Sequence, residues 1–129
     1  MWKYLALAIS LSMMVTAPAW AVTVTQTGVN LNVTYTEPTL TENGTPLDDL
    51  QLTDTTAKDG GGNIVATHQE PASALTGGGV ISFDLVVDVP LGQKQTLIIE
   101  VTASDLVGNR SQPIATNVTI DREAPGVPQ

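Results

Sequence analysis

The sequence predicts an all-β fold, an antiparallel two-sheet sandwich of about seven strands behind a signal-peptide helix. Three observations carry the prediction. Apolar residues alternate with polar ones in four separate segments, the spacing that lays side chains on one face of a strand. Clusters of Gly, Pro and Asn punctuate the chain between them. Beyond the leader, no segment shows a helical period.

The first 21 residues read as the leader. Met1-Trp2-Lys3 is a short basic start, Tyr4 to Val15 is an apolar run, and Pro18 precedes Ala19-Trp20-Ala21, a small-x-small cleavage pattern at Ala19 and Ala21. The run of roughly a dozen residues is shorter than the ~20 that a membrane-spanning helix needs. The expected organisation is a signal peptide over 1–21, a sandwich over 22–124 and a C-terminal tail over 125–129. The leader looks bacterial, so the product is expected in the periplasm or outside the cell.

In chain order, Val22 to Thr25 is a weak strand signal. Val29, Leu31, Val33 and Tyr35 form an apolar row that alternates with Asn30, Asn32, Thr34 and Thr36 and stops at Glu37-Pro38. Leu50 to Thr56 is a second weak signal, in which Thr53, Thr55 and Thr56 suggest an edge strand, and Thr67 to Pro71 reads as a solvated loop or edge strand. Ile81, Phe83, Leu85, Val87 and Val89 form the next row, with Ser82, Asp84 and Asp88 opposite. Leu97, Ile99, Val101 and Ala103 form another, and Val118 with Ile120 marks the last. Turns are expected at 43–46, 59–63, 77–79, 91–92 and 108–109. The glycine triplets lack the Lys-Ser/Thr continuation and following helix of a phosphate cradle, so they read as hairpin or loop tips.

Composition narrows the chemistry. Without the leader, Lys58, Lys94, Arg110 and Arg122 face 13 acidic residues, a formal charge of −9. Such a charge disfavours nucleic acid and anionic membrane surfaces. Tyr35 and Phe83 are the aromatic residues left after position 21, too few for stacking platforms. There is no cysteine, so burial must hold the fold without a crosslink, and a lipidated N-terminal Cys is excluded.

Two segments resemble the fibronectin type III family, bacterial secreted immunoglobulin-like sandwiches included. Leu31-Asn32-Val33-Thr34-Tyr35-Thr36-Glu37-Pro38, followed by Asn43-Gly44-Thr45-Pro46-Leu47-Asp48-Asp49-Leu50, is similar to that family's second strand and the loop beyond it. Tyr35 stands where Trp is usual. Leu97 to Ala103 resembles the sixth strand, with Leu97 in place of a Tyr, and Asp105 to Pro113 resembles its following loop. The resemblance implies that the loops 39–49 and 104–113 lie near one end of the sandwich, making Asn43, Asp48, Asp49, Asp105, Asn109 and Arg110 contact candidates. Asp121 to Pro128 resembles a linker leading out of such a domain.

No catalytic set emerges. His68 is the sole histidine, with neither Cys nor a Gly-x-Ser-x-Gly elbow to partner it, and a zinc site needs more His or Cys than exist. Asp84 and Asp88 share a wet strand face. Calcium is the better metal candidate, through Asp48, Asp49, Asp54, Asp105 and Asn109, although no Asp-x-Asp-x-Asp-Gly run is present. No cofactor is expected. What remains is a non-catalytic module that recognises a protein, or less readily a glycan, through its loops, or else a structural subunit associating through strand edges or sheet faces.

Because Trp2 and Trp20 both precede the expected cut, the exported product should lack indole fluorescence and show faint tyrosine emission from Tyr35. Emission spectra with N-terminal sequencing check this, a Val22 start being the expected result.

Overall fold

The structure is a computed structural model that describes residues 21–128; apart from Ala21, the expected leader lies outside the described residues. Seven strands follow in order: β1 (Val22–Thr27), β2 (Asn30–Thr36), β3 (Leu50–Lys58), β4 (Ile64–Pro71), β5 (Val80–Val86), β6 (Lys94–Asp105) and β7 (Ile114–Asp121). They form two antiparallel sheets, β1-β2-β5 and β4-β3-β6-β7. No helix occurs among the described residues.

The alternating rows build the core as expected. Leu31, Val33 and Tyr35 on β2 and Ile81 and Leu85 on β5 meet Leu97, Ile99 and Val101 of β6 and Ile120 of β7. Each such aliphatic contributes about 1.5–3 kcal/mol on burial, which is how the sandwich holds without a disulfide. The β5 row outlasts its ladder: Val87 and Val89 stay buried after pairing stops at Val86.

Two expectations are corrected. Val29 belongs to the exposed two-residue turn joining β1 to β2 rather than to the buried row. β3 is an interior strand, flanked by β4 and β6, and not an edge. Its Thr53 and Thr55 point into the core, where Tyr35 Oη and Thr53 Oγ1 lie 2.5 Å apart across the two sheets. Burial pushes the Tyr35 phenol above its ordinary pKa, while the hydroxyls of Thr53 and Thr55 act in the opposite direction.

The sides of the sandwich are closed by side chains. Gln26 on β1 copies a backbone peptide: its Nε2 donates to the Asp121 carbonyl at 2.9 Å, and its Oε1 accepts from the Asp121 N–H at 2.9 Å, tying β1 to β7. On the opposite side, His68 of β4 stacks on Phe83 of β5 with ring centroids 3.8 Å apart, and its Nε2 lies 2.8 Å from Glu70 Oε1. Edge strand was therefore the right half of the reading at 67–71. The ring itself is half-buried, covering the one phenylalanine.

Glu37 is the charged side chain that the fold buries most completely, 2% exposed. A carboxylate out of water must collect donors. The crossover from β4 to β5 supplies them: Ser73 N–H at 2.9 Å, Gly79 N–H at 3.0 Å and the Ser73 hydroxyl, while Glu37 N–H donates to the Gly79 carbonyl at 2.9 Å. In the same crossover Gly77 has φ +68, and a Cβ there would overlap the Pro38 carbonyl oxygen. The second triplet is thus a packed crossing between sheets, whereas Gly60-Gly61-Gly62 is the hairpin tip expected.

Glu37→Gln keeps the shape but turns one acceptor into a donor facing donors, and should cost about 1–3 kcal/mol. Urea unfolding should show the loss as a lowered midpoint with an unchanged slope.

Candidate functional site

The strand ends gather two long loops at one end of the sandwich. The β2–β3 connection folds into a small hairpin, in which Thr41 N–H donates to the Thr45 carbonyl at 2.8 Å and Leu47 N–H to the Thr39 carbonyl at 2.8 Å. The β6–β7 loop lies beside it, joined by the Leu106 N–H to the Asp49 carbonyl at 3.0 Å. Between them opens a cleft of about 1190 Å³. Its floor includes Leu47, Leu50 and Ala103, a small second core separate from the main one, and Leu40 adds apolar wall.

Of the six contact candidates, Asn43, Asp49, Asp105, Asn109 and Arg110 line this cleft, and Asp48 sits exposed in the same loop outside the lining. Ala21 also reaches it, immediately before β1.

Several of these side chains are already engaged. Asp105 Oδ1 accepts from the N–H groups of Val107 at 3.1 Å and Asn109 at 2.8 Å, and its Oδ2 accepts from Asn109 Nδ2 at 2.9 Å. These bonds, the Asn109 side-chain amide foremost and its backbone N–H next, hold the Asp105 carboxyl below the usual carboxylate range. Arg110 folds back over the outer face of β3 and β6, donating to Asp54 at 3.0 Å and to Thr102 Oγ1 at 2.7 Å. Asp54 therefore faces a guanidinium. Among the described residues no group of three or more His, Cys, Asp or Glu side chains is placed to hold a metal ion.

The Asp105 loop has a twin at the other end of the molecule. Asp59 Oδ1 accepts from Gly61 N–H at 2.9 Å and Asn63 N–H at 3.0 Å, and Oδ2 from Asn63 Nδ2 at 3.3 Å. Both loops read Asp-x-x-Gly-Asn, and their fourth residues, Gly62 and Gly108, take φ of 84° and 93°. The Asn63 N–H leads the causes that lower the Asp59 carboxyl. The spacing of Asp, Gly and Asn was the signal in the sequence, and it passed as two unrelated turns.

The twins differ at the two free positions. Asp59 is followed by Gly60-Gly61, whereas Asp105 is followed by Leu106-Val107, 55% and 78% exposed. The turn does not require apolar residues there, since glycines serve in the twin. The core does not use them either. The cleft end thus presents an apolar pair on a loop fixed by five hydrogen bonds of its own, including Asp105 N–H to the Asn109 carbonyl at 3.0 Å and Gly108 N–H to the Asp105 carbonyl at 3.1 Å. This pair was absent from the sequence-derived candidates.

Compared with known proteins, the chain matches no family model and no curated protein.

Since the Asp59 and Asp105 carboxyls titrate below their unfolded value of 3.8, the stability they add is present above that pH and is lost as pH falls through the folded values. Melting curves from neutral pH to pH 2 should therefore fall less steeply at the acid end for an Asp59→Ala/Asp105→Ala double variant, whose midpoint at neutral pH should already be lower.

Proposed function

We propose that this chain is a non-catalytic, exported β-sandwich module that recognises a protein partner through the loops at its cleft end. The observation that carries the reading is Leu106-Val107: two exposed apolar side chains on a rigid turn whose twin has glycines in their place. Apolar groups held in one conformation lose little entropy on binding, which is what makes an anchor effective. The β2–β3 loop at the same end carries Glu42, Asp48 and Asp49 and is joined to Leu106 through the Asp49 carbonyl, so the partner surface that fits this end is apolar with a basic rim. A glycan is the weaker alternative, because Tyr35 is buried and Phe83 lies under His68.

The same arrangement supports the resemblance to fibronectin type III and immunoglobulin-like sandwiches, with Tyr35 and Leu97 both filling core positions. Export is supported by the leader and by where it would be cut: β1 starts at Val22, directly after the small-x-small pattern, so cleavage would leave every strand intact.

Binding tests the proposal. With a partner captured from the exported fraction of the native host and then purified, Leu106→Gly/Val107→Gly should weaken affinity at least ten-fold, about 1.4 kcal/mol. A control substitution, Val86→Thr on the far end of β5, should leave affinity unchanged. Equal affinity of wild type and loop variant would end the reading.

A further inference from the structure

The chain contains six asparagines, and the structure sets one of them apart. Asn30 and Asn32 lie within β2 and Asn117 within β7. The side-chain amides of Asn63 and Asn109 donate to Asp59 and Asp105. All five precede a large side chain: Leu31, Val33, Val118, Ile64 and Arg110 in turn. Asn43 is different. It is exposed at the tip of the β2–β3 hairpin, its side chain takes no hydrogen bond among the described residues, and Gly44 follows it. Gly44 has φ +86, and no atom lies within 4 Å of where its Cβ would stand, so no side chain shields its backbone nitrogen.

We propose that Asn43-Gly44 is a self-modification site, at which the Asn43 amide is lost to water and the residue becomes aspartate or isoaspartate. The Gly44 nitrogen attacks Cγ of Asn43; the new N–Cγ bond forms as the Cγ–Nδ2 bond breaks, and Nδ2 leaves as ammonia carrying the proton that Gly44 gave up. A five-membered imide results. Water then opens it, breaking the new N–Cγ bond to give aspartate or the original peptide C–N bond to give isoaspartate, whose main chain runs through Cβ. The attacking nitrogen is held by one bond, Gly44 N–H to the Thr41 carbonyl at 2.9 Å, at an exposed hairpin tip where local opening does not require unfolding. Asp59-Gly60 has the same spacing, but the bonds from Gly61 and Asn63 hold that carboxyl as its anion, a poor target for a nucleophile. Asn43 lines the cleft, so its conversion adds a negative charge to the cleft wall, and the isoaspartyl form lengthens the chain between Thr41 and Thr45, whose backbone bond closes the hairpin. The site does not depend on the anchor at Leu106-Val107.

Purified protein held for several weeks at neutral pH and body temperature, then digested and analysed by mass spectrometry, should gain one mass unit in the peptide that contains Asn43. Isoaspartate should be detected there by enzymatic methyl transfer, and the other five asparagines should stay unchanged. Gly44→Asp, a residue that tolerates the left-handed backbone, crowds the attacking nitrogen and should slow the gain at Asn43 about ten-fold. Asn43→Gln should show no gain, because the ring it would have to close is six-membered. A wild type that shows no gain at Asn43 overturns the proposal. So does a gain spread evenly over the asparagines, a product that is all aspartate, or an unchanged rate in Gly44→Asp, each of which removes Gly44 as the attacking group.

Discussion

The buried Glu37 carboxylate is the constraint on which the cleft end of this molecule depends. Water is excluded from it, so three donors have to be delivered by the segment that crosses from β4 to β5. Delivering them fixes Ser73 and Gly79 against the end of β2. Gly77 is then pressed onto Pro38, where no side chain fits. The crossover in turn accepts from the Leu50 N–H at 3.0 Å through the Leu75 carbonyl, setting where β3 begins. Leu50 and Leu47 consequently form the floor of the cleft. One charge placed inside the fold thus propagates into the shape of a surface.

The same economy appears in the two Asp-x-x-Gly-Asn loops. Each uses one carboxylate to satisfy two backbone N–H groups and one amide, so the loop is held by its own residues and not by its neighbours. A loop stabilised this way leaves its second and third positions free of structural duty. What occupies them then reports on something other than folding, which is why Gly60-Gly61 and Leu106-Val107 can be compared directly. The carboxylates of Asp59 and Asp105 are committed to their loops, and only side chains outside that network remain open to a ligand.

The sandwich was legible from the sequence because its core obeys a period of two and its turns use Gly, Asn and Pro. Leu31, Val33, Ile81, Leu85, Leu97, Ile99 and Ile120 all sit where alternation placed them. Threonine defeated the same reasoning at β3. A Thr row looks wet in one dimension, yet Thr53 and Thr55 are inside because Tyr35 brings a hydroxyl into the core that needs a partner. Val29 failed for the opposite reason, since an apolar residue in a tight turn costs little and gives no warning. The two loops were rightly expected at one end, but which side chains stay free was not readable. Arg110 is claimed by Asp54, which is 56 residues away, and Gln26 by Asp121 across 95 residues; partners that distant leave no local pattern.

The distribution of charge follows from how the sheets are covered. The four-stranded sheet is wide and leaves its outer face in water, so opposite charges on neighbouring strands can pair across it, as Lys58 does with Glu100. The three-stranded sheet is narrower, and its outer face includes Thr23, Thr25, Asn32, Thr34, Ser82 and the carboxylate of Asp84: Thr34 Oγ1 lies 3.0 Å from Ser82 Oγ and donates to Asn32 Oδ1 at 3.2 Å, and Asn32 Nδ2 donates to Asp84 Oδ1 at 3.3 Å. With the ions of the wide face largely paired and Asp84 on the narrow one, much of the acidic excess falls on the connections, among them Glu42, Asp48, Asp49 and Asp88. Negative potential is thereby concentrated at the loops, beside sheet faces that carry few unpaired charges. Long-range attraction of a basic surface would then be directed at the loops, with the sheets contributing shape and rigidity.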